Sequence, residues 1–218
     1  MITALAKMFT LRPRFNRFIQ GQRLYQKNDI TMSFICKTKF EDDSNESLVL
    51  IKAEPNDNLI TITNKIVNEI KNKRSGEIIE SDNSVSNLAK IPYVLRVIVF
   101  KILRLLDYFG VNLSKLTSSD PSYSSCLVSN LGSINLPVMY HHLNNYGTNS
   151  CVITLGKVHK EEIIIEDNKK AIRDILEIGA TVDERIADGF YFSKSVEILN
   201  KLVKDPELLL KDLSEKID

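Results

Sequence analysis

The sequence predicts a mixed α/β fold, and three observations carry that prediction. Residues 30–40 alternate, placing Ile30, Met32, Phe34, Cys36, Thr38 and Phe40 on one face, as a half-buried strand requires. Residues 59–73 switch to helical spacing, with Leu59, Ile62, Ile66, Val67 and Ile70 in register. A run of short apolar segments from 125 to 183 then reads as strands and leads into a helix over 190–203.

Each element has its own local reason. Residues 2–10 form an amphipathic helix that stops near Arg12-Pro13, because proline disfavours helix in the residue before it. The turn cluster Asp42-Asp-Ser-Asn-Glu46 returns the 30–40 strand into Ser47–Lys52 as a hairpin. Ser75–Ser86 is polar, and 75–90 is expected to be a mobile linker within the domain. Strands are expected at 125–130, 150–157, 161–166 and 172–183, with Asp167-Asn168-Lys169 as a hairpin turn.

Bulk properties narrow the classes. The 218 residues, 43% of them hydrophobic, suffice for one domain, 1–218, with a sizeable core. A net charge of +1, with no basic run interleaved with aromatics, gives no case for nucleic acid. Cys36, Cys126 and Cys151 are odd in number and set in apolar runs. They read as reduced, buried thiols of a cytoplasmic protein, with no metal site. The opening residues read as a helix start and not as a signal peptide.

The most informative stretch is Gly179-Ala-Thr-Val-Asp-Glu-Arg-Ile-Ala-Asp-Gly189, a strand end, a polar turn and the start of a helix. It resembles the Asp-His-Arg-Val-x-Asp-Gly signature of the acyltransferases of 2-oxo-acid dehydrogenase complexes, and the related His-x-x-x-Asp-Gly of chloramphenicol acetyltransferases. Leu127-Val-Ser-Asn-Leu-Gly132 resembles the family's Ser-Asn-Leu-Gly strand, and Val152-Ile-Thr-Leu-Gly-Lys157 its strand into a Gly-Lys turn. Leu199–Leu210 resembles the closing helix with its Asp-Pro-Glu-Leu-Leu ending, and Leu11-Arg-Pro-Arg-Phe-Asn16 the family's Pro-x-Leu-Asn helix end. The resemblance implies a two-layer α/β sandwich of chloramphenicol-acetyltransferase type, its mixed sheet covered by helices. It implies a homotrimer with the active site between subunits, and coenzyme A or acyl-coenzyme A as substrate. No lipoyl or subunit-binding module is recognisable.

Two departures bear on the chemistry the resemblance implies. The family's front helix and strand have no counterpart, so the chain is expected to be either a fragment or a shortened relative. In chloramphenicol acetyltransferases an arginine from that front part pairs with the aspartate matched by Asp188. Here a local partner such as Arg185 is expected if Asp188 is buried. The second departure is Glu184, which stands where the family has its general-base histidine. A carboxylate near ~4.3 accepts a proton from a thiol near ~8.5 only at a cost of about 5–6 kcal/mol. Burial raises carboxylate pKa values by up to ~3–5 units, so a retuned base and a silent site both remain open.

The other candidates have similarly paired readings. Ser129 matches the family's oxyanion-stabilising serine, a role worth ~3–4 kcal/mol, or it satisfies a strand end. His141 and His142 are adjacent and would point to opposite faces of a strand, so at most one enters a given cleft. His159 lies in a charged segment, 157–162, read as a solvated turn. Finally, Ile91–Gly110 forms a long apolar helix. Its Lys90, Arg96, Lys101, Arg104 and Asp107 share an arc of roughly 140°. Such a helix is either buried against the sheet or a neighbouring subunit, or laid on a membrane surface.

Overall fold

Period-two alternation builds the sheet, and one face of it makes the core. The computed structural model describes residues 1–37, 46–74, 91–111, 120–145, 147–165 and 168–217. Five strands order as β4-β3-β5-β6-β9: β3 is Ile30–Lys37, β4 Glu46–Ala53, β5 Cys126–Asn130, β6 Cys151–Leu155 and β9 Ile178–Val182. β3 is antiparallel to β4 but parallel to β5, β5 is parallel to β6, and β6 is antiparallel to β9, so the sheet is mixed. Met32, Phe34, Val49, Ile51, Val128 and Ile153 alternate onto one face and are buried there.

Helices cover that face. α1 (Ile2–Leu11) contributes Leu5, Ala6 and Phe9, and α2 (Leu59–Arg74) contributes Ile62, all buried in the same cluster. Fully burying such a side chain contributes about 1.5–3 kcal/mol. α4 (Gly189–Lys204) joins α1 through a second cluster of Ala4, Leu202 and Leu209. The C-terminal segment is pinned back: Leu213 N–H donates to Asp57 O (2.8 Å), and Lys7 Nζ donates to Asp212 O (2.7 Å). The two-layer α/β architecture expected from the sequence is therefore present.

The structure departs from the sequence reading in three places and narrows it in a fourth. An additional hairpin, β1 (Arg17–Gln20) with β2 (Arg23–Gln26), precedes β3. Gly21 and Gln22 both take positive φ (53° and 63°), the turn geometry that matches the twist of a two-residue hairpin. The strand expected over 172–183 is two: β8 (Lys170–Ile175) pairs with β7 (His159–Ile164) in a separate ribbon, and β9 enters the main sheet. His159 therefore begins a strand and does not sit in a turn. The 91–110 helix, α3 (Tyr93–Tyr108), is not buried against the sheet; most of its apolar side chains are exposed.

The hairpin turn at Asn168 is present, with φ 58° and Ile165 N–H donating to Lys169 O at 2.8 Å. The turn cluster from Asp42, the stretch 75–90 and the Asp107 side chain lie outside the described residues. Cys126 and Cys151 face each other in the core with Sγ atoms 3.7 Å apart, and burial pushes the Cys126 thiol well above the usual range. Such a thiol is inert packing.

Candidate functional site

β9 ends in a turn that its own side chains lock. Asp183 caps a 3-10 turn over Glu184–Ile186, its Oδ1 accepting from Arg185 N–H at 3.1 Å. The Arg185 guanidinium returns to the same carboxylate as a fork, Nε to Oδ1 at 2.8 Å and Nη2 to Oδ2 at 2.6 Å. These bonds hold the Asp183 carboxyl below its ordinary range and raise Arg185. Ile186 plugs the turn into the core, leaving Glu184 exposed at its apex.

Asp188 does not use Arg185. Its side chain is 63% exposed and caps α4, with Oδ1 accepting from Tyr191 N–H at 2.8 Å. The nearest cation is Arg14 Nη1, 3.6 Å from Oδ2. A local Arg185 pair was expected only for a buried Asp188; the carboxylate is exposed, and Arg185 pairs with Asp183 instead. Arg12 supports α4 from below, stacking 3.7 Å from the Tyr191 ring centroid and donating through Nε to Ser195 Oγ at 3.0 Å.

Ser129 lies near the C-terminal end of β5, 5% exposed, on the sheet face away from the core. In register, Ser129 stands beside Thr154, and Thr154 beside Gly179. Gly179 is required there: a Cβ would lie 2.5 Å from Thr154 Oγ1 and 2.8 Å from Val138 Cγ2. The segment carrying Val138 crosses this row and continues to His141 and His142, both exposed in irregular chain and not in a strand.

The register also separates the candidates. Ser129 aligns with the start of β9, whereas Glu184 follows its end, where Val182 faces Cys151. At ~3.3 Å per residue the two groups are about 10 Å or more apart along the sheet. One chain brings Glu184, Asp188 and Arg14 to one end of the sheet and Ser129 to the other.

A cleft of about 160 Å³ opens beside the Glu184 turn, lined among others by Phe18, Ile19, Asn145, Asn149, Asp183 and Arg185. That is below the ~300–1,000 Å³ of a typical small-molecule site. Near it stands a residue that sequence reasoning missed. Lys27 Nζ donates to the carbonyls of Tyr123 (2.8 Å) and Ser124 (2.5 Å) and lies 5.5 Å from the Phe18 ring centroid. Burial lowers its pKa to about 7. In the sequence Lys27 is one polar residue in Gln26-Lys-Asn-Asp29, which carries no such signal. Among the described residues, no group of three or more His, Cys, Asp or Glu could hold a metal ion.

Residues 111–211 match the family described as 2-oxoacid dehydrogenases acyltransferase (catalytic domain). The fold is similar to a probable dihydrolipoamide acetyltransferase from Listeria monocytogenes 4b F2365, with TM-score 0.64 and 17% identity over 93% of this chain and 68% of that one. It is similar also to the dihydrolipoamide acetyltransferase of Azotobacter vinelandii, with TM-score 0.63 and 15% identity over 96% and 68% of the two chains. That enzyme was studied for the catalytic roles of a serine, a histidine and an asparagine. A third similar structure is the cubic core of a pyruvate dehydrogenase multienzyme complex, with TM-score 0.62 and 16% identity over 96% and 68%. At these identities the structural likeness is one of fold. The chain resembles this catalytic domain in sequence over 111–211 and in architecture over nearly all its length.

Proposed function

We propose that residues 1–218 form one acyltransferase-type catalytic unit, cytoplasmic and homotrimeric, acting on coenzyme A thioesters with its transfer reaction weakened or lost at Glu184. The observation that carries this reading is the Asp183–Gly189 turn, which keeps Asp183, Arg185, Asp188 and Gly189 at the family positions and replaces the base. In the Azotobacter enzyme the histidine and asparagine named for catalysis are four residues apart, the spacing of Glu184 and Asp188.

In the reaction so proposed, the residue at 184 takes the thiol proton of the acyl acceptor. The thiolate attacks the thioester carbonyl, and the Ser129 hydroxyl donates to the tetrahedral oxyanion. Collapse expels coenzyme A as thiolate, which recovers the proton. Asp188, held by Arg14 and the first turn of α4, positions the turn. Since Ser129 and Glu184 occupy opposite ends of one sheet, the site needs two copies, which supports an oligomer. The cubic core of the similar complex contains threefold axes, which supports a trimer.

Glu184 is the weak member. It is exposed, so nothing within one chain desolvates it. Replacing it by histidine restores the family's residue on an intact turn. In an assay of acyl transfer from acetyl-coenzyme A to a small thiol, Glu184→His should gain about 10²–10⁴-fold. High activity in the unmodified protein that falls on this change would make glutamate the working base. The alternative is a non-catalytic trimeric binding or scaffold protein of the same fold, favoured by the small cleft beside the turn. Inactivity of both forms would select it.

A further inference from the structure

α3 is an apolar helix that the rest of the chain leaves largely uncovered. At 100° per residue, Val94, Ile98, Ile102 and Leu105 fall within about 80° of one another, and they are between 47% and 68% exposed. Leu106, Val99 and Leu103, which follow one edge of that arc, are half-buried, as is Val97. The helix is anchored at its C-terminal end to the tip of the β1–β2 hairpin. There a Cβ at Gly21 would collide with the Tyr108 carbonyl, and one at Gly110 would meet the Tyr25 hydroxyl at 2.8 Å. That hairpin tip carries exposed Arg23 and Leu24.

Leaving so much apolar surface in water is costly, so the face has an occupant. Charge decides which one. The helix sequence carries Arg96, Lys101 and Arg104 against a single acid, Asp107. Lys101 and Arg104 are exposed and flank the apolar arc on one side. A second copy of the helix would lay cation against cation, whereas an anionic lipid surface complements them. The helix is 16 residues, about 24 Å, and no described helix is long and apolar enough to cross a membrane. We propose that α3 lies in the plane of an anionic bilayer surface, with Val94, Ile98, Ile102 and Leu105 inserted and Lys101 and Arg104 among the headgroups. This docking is independent of the acyltransferase reading.

The test is flotation of the full chain with phosphatidylcholine vesicles, with and without phosphatidylglycerol. Binding should require phosphatidylglycerol. It should weaken about 30-fold in Lys101→Gln/Arg104→Gln, since each cation near such a surface is worth about fivefold. Ile98→Ser/Leu105→Ser should lose about tenfold or more with circular dichroism unchanged, because these side chains are already exposed. No flotation with either vesicle overturns the proposal, as does equal flotation of wild type and both variants. An assembly that Ile98→Ser/Leu105→Ser dissolves, without lipid binding, would assign the face to a second copy and overturn it equally.

Discussion

Replacing Lys27 by methionine should invert its effect on stability as pH rises. Burial brings the Lys27 pKa down to about 7 from an ordinary value near ~10.4. The folded-state pKa is thus the lower one, so between those two values the unfolded chain holds a proton that the folded chain has released. Stability therefore rises with pH through that window, and below about pH 7 the folded state carries the full cost of the buried ammonium. A shift of this size corresponds to at most about 5 kcal/mol. The carbonyls of Tyr123 and Ser124 offset part of it by accepting from the charged form. Methionine removes the charge but withdraws those donors, a loss of about 1–3 kcal/mol at all pH. Lys27→Met should therefore be the more stable protein at pH 6 and the less stable at pH 9.5. Urea denaturation across that range measures the difference directly. A difference that stays constant with pH would refute the assignment of a neutralised, buried lysine.

Arg185→Met should strand the Asp183 carboxylate, whose side chain is 11% exposed, and destabilise by about 1–3 kcal/mol. Because Asp183 is held low by Arg185, that stability is present above ~3.9 and lost as pH falls further, so the variant's acid unfolding limb should be flatter. Gly179→Ala should cost about 1–3 kcal/mol by overpacking against Thr154 and Val138. Thr154→Ala in the same chain should return part of it, and additive losses would refute the contact. Light scattering should find trimers, and a concentration-independent monomer would count against a site shared between copies.

Much of this architecture was legible because it follows one rule at a time. β3 alternates cleanly and α2 keeps helical spacing, so period alone located them. The β1–β2 hairpin escaped because its Gly21-Gln22 turn lacks the usual glycine or asparagine at the second position. The break between β8 and β9 at Leu176-Glu177 carries neither proline nor glycine, so one long strand was the natural reading. Of the candidate site residues, Glu184, Asp188 and Ser129 were proposed by motif, whereas Arg14 and Lys27 stand out only through contacts made across the fold. Periodicity also cannot tell an apolar helix face buried in protein from one left open, which is why α3 stayed ambiguous.

The strand directions of β5, β6 and β9 have a genetic consequence. They set Ser129 and the Glu184 turn at opposite ends of one sheet, so in the proposed trimer the two halves of a site belong to different chains. A chain damaged only at Ser129 and another damaged only at residue 184 would then each hold what the other lacks. Co-assembled at random from equal amounts, about a quarter of the junctions would unite two sound ends in a closed ring. In a Glu184→His background, mixtures of two individually dead proteins should thus complement one another, and doubly damaged chains should not.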